Sequence, residues 1–530
     1  VVPRRLRAAR AAGLVALLAW LVPASPAQAA APEASTDASP RFADVFGSGM
    51  VLPHGQPLEL RGRAAPRESL TLRVAGRSYR ARADVRGTWR ARIDPLPAGG
   101  PYRIELRDTR GAGATLEDVL AGEVWLCSGQ SNMEFPAGRS IDQPDQLMQG
   151  HDAIRLLNVA HQTALVPRES FAERPAWQHA DADAVRQFSA VCYFFARHRL
   201  QQTGLPMGLV NASWGGAAIE AWMTEQQLVR LPGHRRGVEL LRGYRADPRR
   251  SELAFADDWV RWWQQASTMG PVWEMGVLDG HPDWRPAPLT DWRSYPDERL
   301  AGFTGNLWFS ASFELTGEQS RTGATFVLGG IDEVDTTWLN GRFVANSFGY
   351  GTRREYRLEP GMLQPGTNQF SVLVTNTYAA GGMTGPAEEV GIRFDDGSFV
   401  PLGHAWRYRV VSRETGYPPR APWESVSGLT SMFNGMIAPL APLPPSGVIW
   451  YQGESNAESP DAYAELLRGL VAGWRSHFSR PDLPFIVVQL PNYGAVAATP
   501  ADSGWARLRH AQQQVALADA RVGLVVTQDL

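Results

Sequence analysis

Three short polar runs hold the residues best suited to chemistry. The first is Gly129-Gln130-Ser131-Asn132-Met133, directly after the apolar stretch Val124-Trp125-Leu126. A serine at the end of a parallel strand, just before a helix, stands at the ligand-binding edge of a sheet. There its own N–H can also receive a developing oxyanion. A serine in that position also serves commonly as a helix cap, so Ser131 alone is a weak signal. The second run is Asn211-Ala212-Ser213-Trp214-Gly215-Gly216. Its two glycines allow a backbone N–H to come close to a ligand, or simply make a tight turn. The third is Trp450-Tyr451-Gln452-Gly453-Glu454-Ser455-Asn456, which brings two side-chain amides and a carboxylate. All three follow strand-like stretches, so one sheet edge would gather them into one crevice.

Composition removes other chemistries. All 52 cationic side chains are arginine, which excludes a lysine Schiff base and a Ser–Lys pair. The net charge of −2, with no basic stripe, removes the usual electrostatic basis for nucleic-acid binding. No Cys/His cluster has metal-ligand spacing, so neither a metal nor a cofactor is expected. The two cysteines, Cys127 and Cys192, are compatible with a disulfide and equally with two buried thiols.

The elements that must position the three runs show two grammars. Between 42 and 116, short alternating stretches broken by Gly and Pro predict a small antiparallel sandwich. Then strands and helices alternate. A strand is expected over 124–126, a helix over 184–201, a strand over 208–211 and a helix starting at 220–229. The same alternation returns with strands at 447–450, 484–489 and 522–526 and helices at 460–478 and 505–518. This is the pattern of an α/β domain with a parallel sheet. Between the two stretches lies a Trp-, Asp- and Pro-rich segment to about 300. A second run of strands follows over 305–411, with Asn340-Gly341 as a hairpin signal. The expected plan is an N-terminal β-sandwich (41–116) and an α/β domain in two parts (117–235 and 426–530), interrupted by an insertion (236–425). At 530 residues, about three domains is the expected number.

The first 29 residues read as a signal peptide. Arg4, Arg5, Arg7 and Arg10 precede a short apolar run over 14–22, and Ala27-Gln28-Ala29 offers a cleavage site. The run is shorter than the roughly 20 residues of a membrane span. An exported, periplasmic or extracellular protein is expected, without a membrane partner after cleavage.

The stretch Val124 to Glu134, containing Gly129-Gln130-Ser131-Asn132-Met133, resembles the first block of the sialate O-acetylesterase family. That family belongs to the flavodoxin-like, three-layer SGNH hydrolases. Trp214-Gly215-Gly216-Ala217-Ala218-Ile219-Glu220-Ala221-Trp222 is similar to its second block; 433–440 and 450–456 are similar to its third region. The resemblance implies an acetyl-enzyme esterase acting on an acetylated carbohydrate, sialic acid or a related sugar, with Ser131 as nucleophile. It implies an oxyanion hole from the Ser131 and Gly216 N–H groups, with Gln452 or Asn456 as candidates for a third donor. Gln130, Asn132, Gly215 and Glu454 are the expected substrate contacts. An acetylxylan-type esterase and a catalytically silent carbohydrate-binding protein are the alternatives. The family places its Asp and His in an Asp-x-x-His block. None of the ten histidines here follows Asp or Glu by three residues, so a chain truncated before that block is expected. The insertion is expected to be a jelly-roll sandwich. Its Asp335-Thr336-Thr337-Trp338-Leu339-Asn340-Gly341 resembles a strand-turn of sugar-binding sandwiches in family 2 glycosidases. Either it flanks the active site, or Trp338 is core and the sandwich is a scaffold.

Overall fold

A long strand, β1 (Gly113–Gly129), organises the protein. The computed structural model describes residues 39–527, apart from 141–149, 276–282, 379, 495–498 and 500–501. The expected leader peptide therefore lies outside the described residues. The first half of β1 pairs antiparallel with Gly99–Asp108 in the N-terminal sandwich. Its second half, fully buried from Ala121 onward, runs into the central sheet. The boundary expected at 116/117 thus falls inside one continuous strand. A single apolar core, from Phe42 to Val522, spans both parts.

The central sheet adds β2 (His151–Asn158), β3 (Gln178–Ala180), β4 (Met207–Ser213), β5 (Gly447–Tyr451), β6 (Phe485–Val488) and β7 (Val522–Val525). The order is β3-β2-β4-β1-β5-β6-β7, with every neighbour parallel except β3. Numbered in chain order, the parallel strands read 2-3-1-4-5-6 across the sheet, an open parallel α/β arrangement. In such sheets ligands lie beyond the strand C-termini where the order reverses. Here that point is between β1 and β5, the strands that precede Ser131 and Gln452.

Helices cover the faces of the sheet. Ser131–Glu134 forms a single turn, α1. The helix expected over 184–201 is two, Ala182–Gln187 and α2 (Ala190–Thr203), because Ser189 turns out of the first and caps the second by accepting the Cys192 N–H at 3.3 Å. The helix expected from 220 is also broken. A 3-10 turn, Ile219–Trp222, is followed by extended Met223 and Thr224 before the short helix Glu225–Leu228. The Trp-rich segment, in which no helix was expected, opens with α3 (Arg235–Ala246) and α4 (Pro248–Ala266). Pro248 suits the first turn, and the Asp247 side chain accepts the Arg250 N–H. The last two helices are α5 (Tyr463–His477) and α6 (Gly504–Ala518).

The insertion contains a six-stranded and a five-stranded antiparallel sheet with its own core. Asn340 and Gly341 make the expected hairpin, both in the left-handed region at φ 51° and 78°. Trp338 is core, packed with Trp259, Trp263, Trp273 and Trp308 between α4 and the sandwich.

The structure resolves the cysteine alternatives in favour of a bridge. Cys127, two residues before the end of β1, is bonded to Cys192 in α2, with a Cα–Cα distance of 6.0 Å and a sequence separation of 65. Closing a loop of that length removes about 4 kcal/mol of unfolded-chain entropy, an upper bound for the gain. Cys127→Ala/Cys192→Ala is expected to lower unfolding free energy by about 2–4 kcal/mol in denaturant titration. A change below about 0.5 kcal/mol would show that the bridge stabilises nothing.

Candidate active site

Ser131 is presented by a turn that only glycine permits. At Gly129 the φ is +143°, and an added Cβ would lie 2.0 Å from the Tyr451 carbonyl oxygen on β5. The next N–H, of Gln130, donates to that same oxygen at 3.0 Å. The chain then enters α1 and leaves Ser131 exposed. No hydrogen bond is made by the Ser131 hydroxyl among the described residues.

The Trp214-Gly215-Gly216 loop closes against this turn. Trp214 N–H donates to Gly129 O at 3.1 Å, and Ala217 N–H returns to Trp214 O at 3.3 Å. Gly216 occupies the left-handed region at φ +75°. A Cβ on Gly215 would lie 3.6 Å from the Ser131 Cβ, which places the two loops side by side. The Gly215 N–H is taken by Glu134 Oε2 at 2.6 Å. The Gly216 N–H makes no hydrogen bond among the described residues, so it is the available donor beside Ser131.

The third loop joins the first. Gln130, only 3% exposed, accepts the N–H groups of Gly453 (3.2 Å) and Ser455 (3.3 Å) on its side-chain oxygen. Asn132 Nδ2 donates to Glu454 Oε1 at 2.5 Å. Burial pushes the Glu454 carboxyl above its ordinary range, and its Oε2 is buried without a partner.

Two segments of the chain are similar to known carbohydrate esterases. Residues 121–231 and 423–530 match the model of a carbohydrate esterase family, the sialic acid-specific acetylesterases. All three loops lie within those segments. These two segments together resemble a domain of this esterase family. Two sialate O-acetylesterases, from Pongo abelii and Homo sapiens, are each 32% identical over 209 residues, covering 36% of this chain and 39% of theirs. The match thus spans about two fifths of the length of these relatives. A carbohydrate acetylesterase from Xanthomonas citri shares the fold at a TM-score of 0.52 and 21% identity, over 92% of this chain and 68% of that one.

Within the matched segments, the two amides expected to compete for the oxyanion have different roles. Gln452 is fully buried, and its Nε2 donates to Ala217 O (3.1 Å) and Asn456 Oδ1 (2.7 Å). Tyr463 donates to its Oε1 at 2.8 Å. With both amide protons committed, Gln452 has none for an oxyanion. Asn456 accepts the Ile219 N–H at 3.0 Å and donates to Glu220 Oε2 at 3.0 Å. Hydrogen bonds from His234 and Asn456 hold the buried Glu220 carboxyl below its ordinary range, against the desolvation that would raise it. These residues brace the glycine loop from behind. Gln130, Asn132 and Glu454, expected to touch substrate, likewise pair with one another's loops, and Gly215 spends its N–H on Glu134.

Other residues come to the site without having been singled out from the sequence. Glu134 lies three residues after Ser131, on the same side of one helical turn, a spacing that marks it in retrospect. His161 Nε2 lies 3.1 Å from Glu134 Oε1, and its ring stacks flat on Trp214 at 4.2 Å; no local pattern signals it. Tyr350 comes from the inserted sandwich, outside the family-matched segments. Its hydroxyl would sit 3.2 Å from a Cβ on Gly216. The ring is 57% exposed and rests edge-on against Phe348, which in turn lies under Arg420. Trp338 is thus core, as the scaffold reading has it, and a different part of the insertion, the loop carrying Tyr350, lies beside the glycine turn.

Proposed function

We propose that this protein is an exported carbohydrate O-acetylesterase of the SGNH type that forms an acetyl-enzyme on Ser131. The observation that carries the reading is the placement of exposed Ser131 beside the unpaired Gly216 N–H at the reversal point of the sheet. Ser131 Oγ attacks the acetyl carbonyl carbon, and the carbonyl oxygen takes up the negative charge. The Ser131 and Gly216 N–H groups stabilise it. Collapse breaks the bond to the sugar oxygen, which takes up the proton removed from Ser131, and leaves acetyl-Ser131, which water hydrolyses to acetate and free Ser131. The proton taken from Ser131 needs a base, which the family resemblance assigns to the histidine of an Asp-x-x-His block. The Cys127–Cys192 bridge supports export, because such bridges persist in oxidising compartments.

O-acetyl sialic acid is the leading substrate, on the strength of the family match. The test is acetate release by the full-length protein from 9-O-acetyl sialic acid, acetylated xylan and an aryl acetate. Preference for xylan would move the assignment to a plant-polysaccharide esterase. Absence of acetate from all three would leave a sugar-binding protein and end the esterase reading.

We assign Tyr350 a contact with the sugar, because it is exposed at the edge of the glycine turn and comes from the inserted sandwich. Tyr350→Ala is expected to raise KM for the sugar ester about tenfold, the equivalent of about 1.4 kcal/mol. The aryl acetate, lacking the sugar, should be hydrolysed with unchanged kcat/KM. Equal losses on both substrates would contradict this placement.

A further inference from the structure

We propose that Glu134 is a positioning residue that locks the oxyanion-binding glycine turn to the nucleophile. This rests on the reading of Ser131 and Gly216 given above. Glu134 and Ser131 share the one-turn helix α1, and Glu134 Oε2 accepts the Gly215 N–H at 2.6 Å. The turn it holds is Trp214-Gly215-Gly216-Ala217, closed by the Ala217-to-Trp214 hydrogen bond. In a four-residue turn with two central glycines, the middle peptide can rotate with little steric resistance. That middle peptide carries the Gly216 N–H, so its rotation would turn the donor away from the oxyanion. Anchoring the Gly215 N–H, which belongs to the peptide before it, fixes where the turn begins relative to Ser131 and so limits how far the donor can swing. Because the anchor is on the nucleophile's own helix, serine and oxyanion donor move as one unit.

The other carboxylate oxygen lies beside His161. Its Nε2 lies 3.1 Å from Glu134 Oε1 and 3.1 Å from Ser213 O, while its ring is fixed against Trp214 at an interplanar angle of 6°. His161 is the ionisable group that faces Glu134; α2, β4 and β5, also packed on α1, add no ionisable partner among the described residues. Desolvation pushes the Glu134 carboxyl up, but the bonds from His161 and Gly215 outweigh it and leave it below its ordinary range. The accepting form is thus kept at neutral pH. It is lost only as pH falls through that lowered value.

The test compares Glu134→Ala, Glu134→Gln and Glu134→Asp in the full-length protein, with Ser131→Ala alongside. Glu134→Ala is expected to lower kcat about a hundredfold, the scale for losing one oxyanion donor, with KM within about threefold. Glu134→Gln keeps an acceptor for Gly215 and should recover most of kcat. Glu134→Asp is shorter by about 1.5 Å and should behave like alanine. His161→Phe keeps the stack on Trp214 and removes the donor; the acid limb of kcat should move to higher pH. Unchanged kcat in Glu134→Ala, with Ser131→Ala inactive, would overturn the positioning role alone. Equal losses in the Gln and Ala variants would also overturn it, since the acceptor would then not be what matters. Wild-type activity in Ser131→Ala would instead overturn the functional reading on which this rests. If Glu134→Ala does not fold, the Gln-against-Asp contrast and the His161→Phe pH profile still decide.

Discussion

Ser131→Ala is expected to lower kcat for acetate release by about four to six orders of magnitude in the full-length protein. The residue has no structural duty that would confuse the result. Its side chain is exposed and makes no hydrogen bond among the described residues. Thermal stability should therefore stay within about 0.5 kcal/mol of the parent. The backbone N–H of residue 131 remains, as does that of Gly216, so the variant should still bind the acetylated sugar. Residual turnover from the oxyanion donors alone is the expected floor. The measurement pairs acetate release with mass spectrometry of the protein quenched during turnover. A 42-dalton acetyl adduct on the parent, absent from the variant, is the expected outcome, the mass following from acetyl replacing hydrogen on an acyl-enzyme serine. Activity within about tenfold of the parent would remove Ser131 as nucleophile.

Gly129→Ala should cost more than about 3 kcal/mol of stability, more than any single surface change. Two effects add. The φ of +143° is a region that a side chain rarely adopts. The new Cβ would also lie 2.0 Å from Tyr451 O, 2.6 Å from Tyr451 C and 3.0 Å from Tyr451 N. All three are backbone atoms of a paired central strand, so relief requires β1 and β5 to separate where their register reaches Gly129 and Tyr451. That separation would break the Gln130-to-Tyr451 bond and displace Ser131. Gly233→Ala supplies the comparison. It too has a left-handed φ, +80°, but a Cβ there meets nothing within 4 Å. Its expected cost is about 1 kcal/mol, from the dihedral alone. Chemical denaturation of the pair measures the difference. Equal costs would mean that the close approach of β1 and β5 is absent.

The strand-end turns that carry Ser131 and Gly216 were legible because their surroundings are local. A buried strand, a glycine and a short helix follow one another within about ten residues, and each has a periodicity or a turn signal. The parallel sheet was legible for the same reason, as strands and helices alternated with recognisable lengths. The helix breaks at Ser189 and Met223 were not, because they depend on single capping hydrogen bonds that apolar spacing does not register. The α3–α4 pair was hidden because its tryptophans face a sandwich whose strands are distant in the chain.

The sequence by itself determined that three polar runs follow strands of one sheet. Only the tertiary structure decided what each polar side chain does there. Gln130 bonds residues more than 320 positions away, and Gln452 reaches back 235 positions to Ala217. Whether a buried amide faces a ligand or a loop depends on which partner the folded chain brings within 3 Å. In the same way, packing joined Cys127 to Cys192, set Glu134 under Gly215 and brought Tyr350 from the insertion to the edge of the glycine turn. Hydrogen bonds and disulfides act over a few ångströms of space, which residue spacing specifies only within a single element.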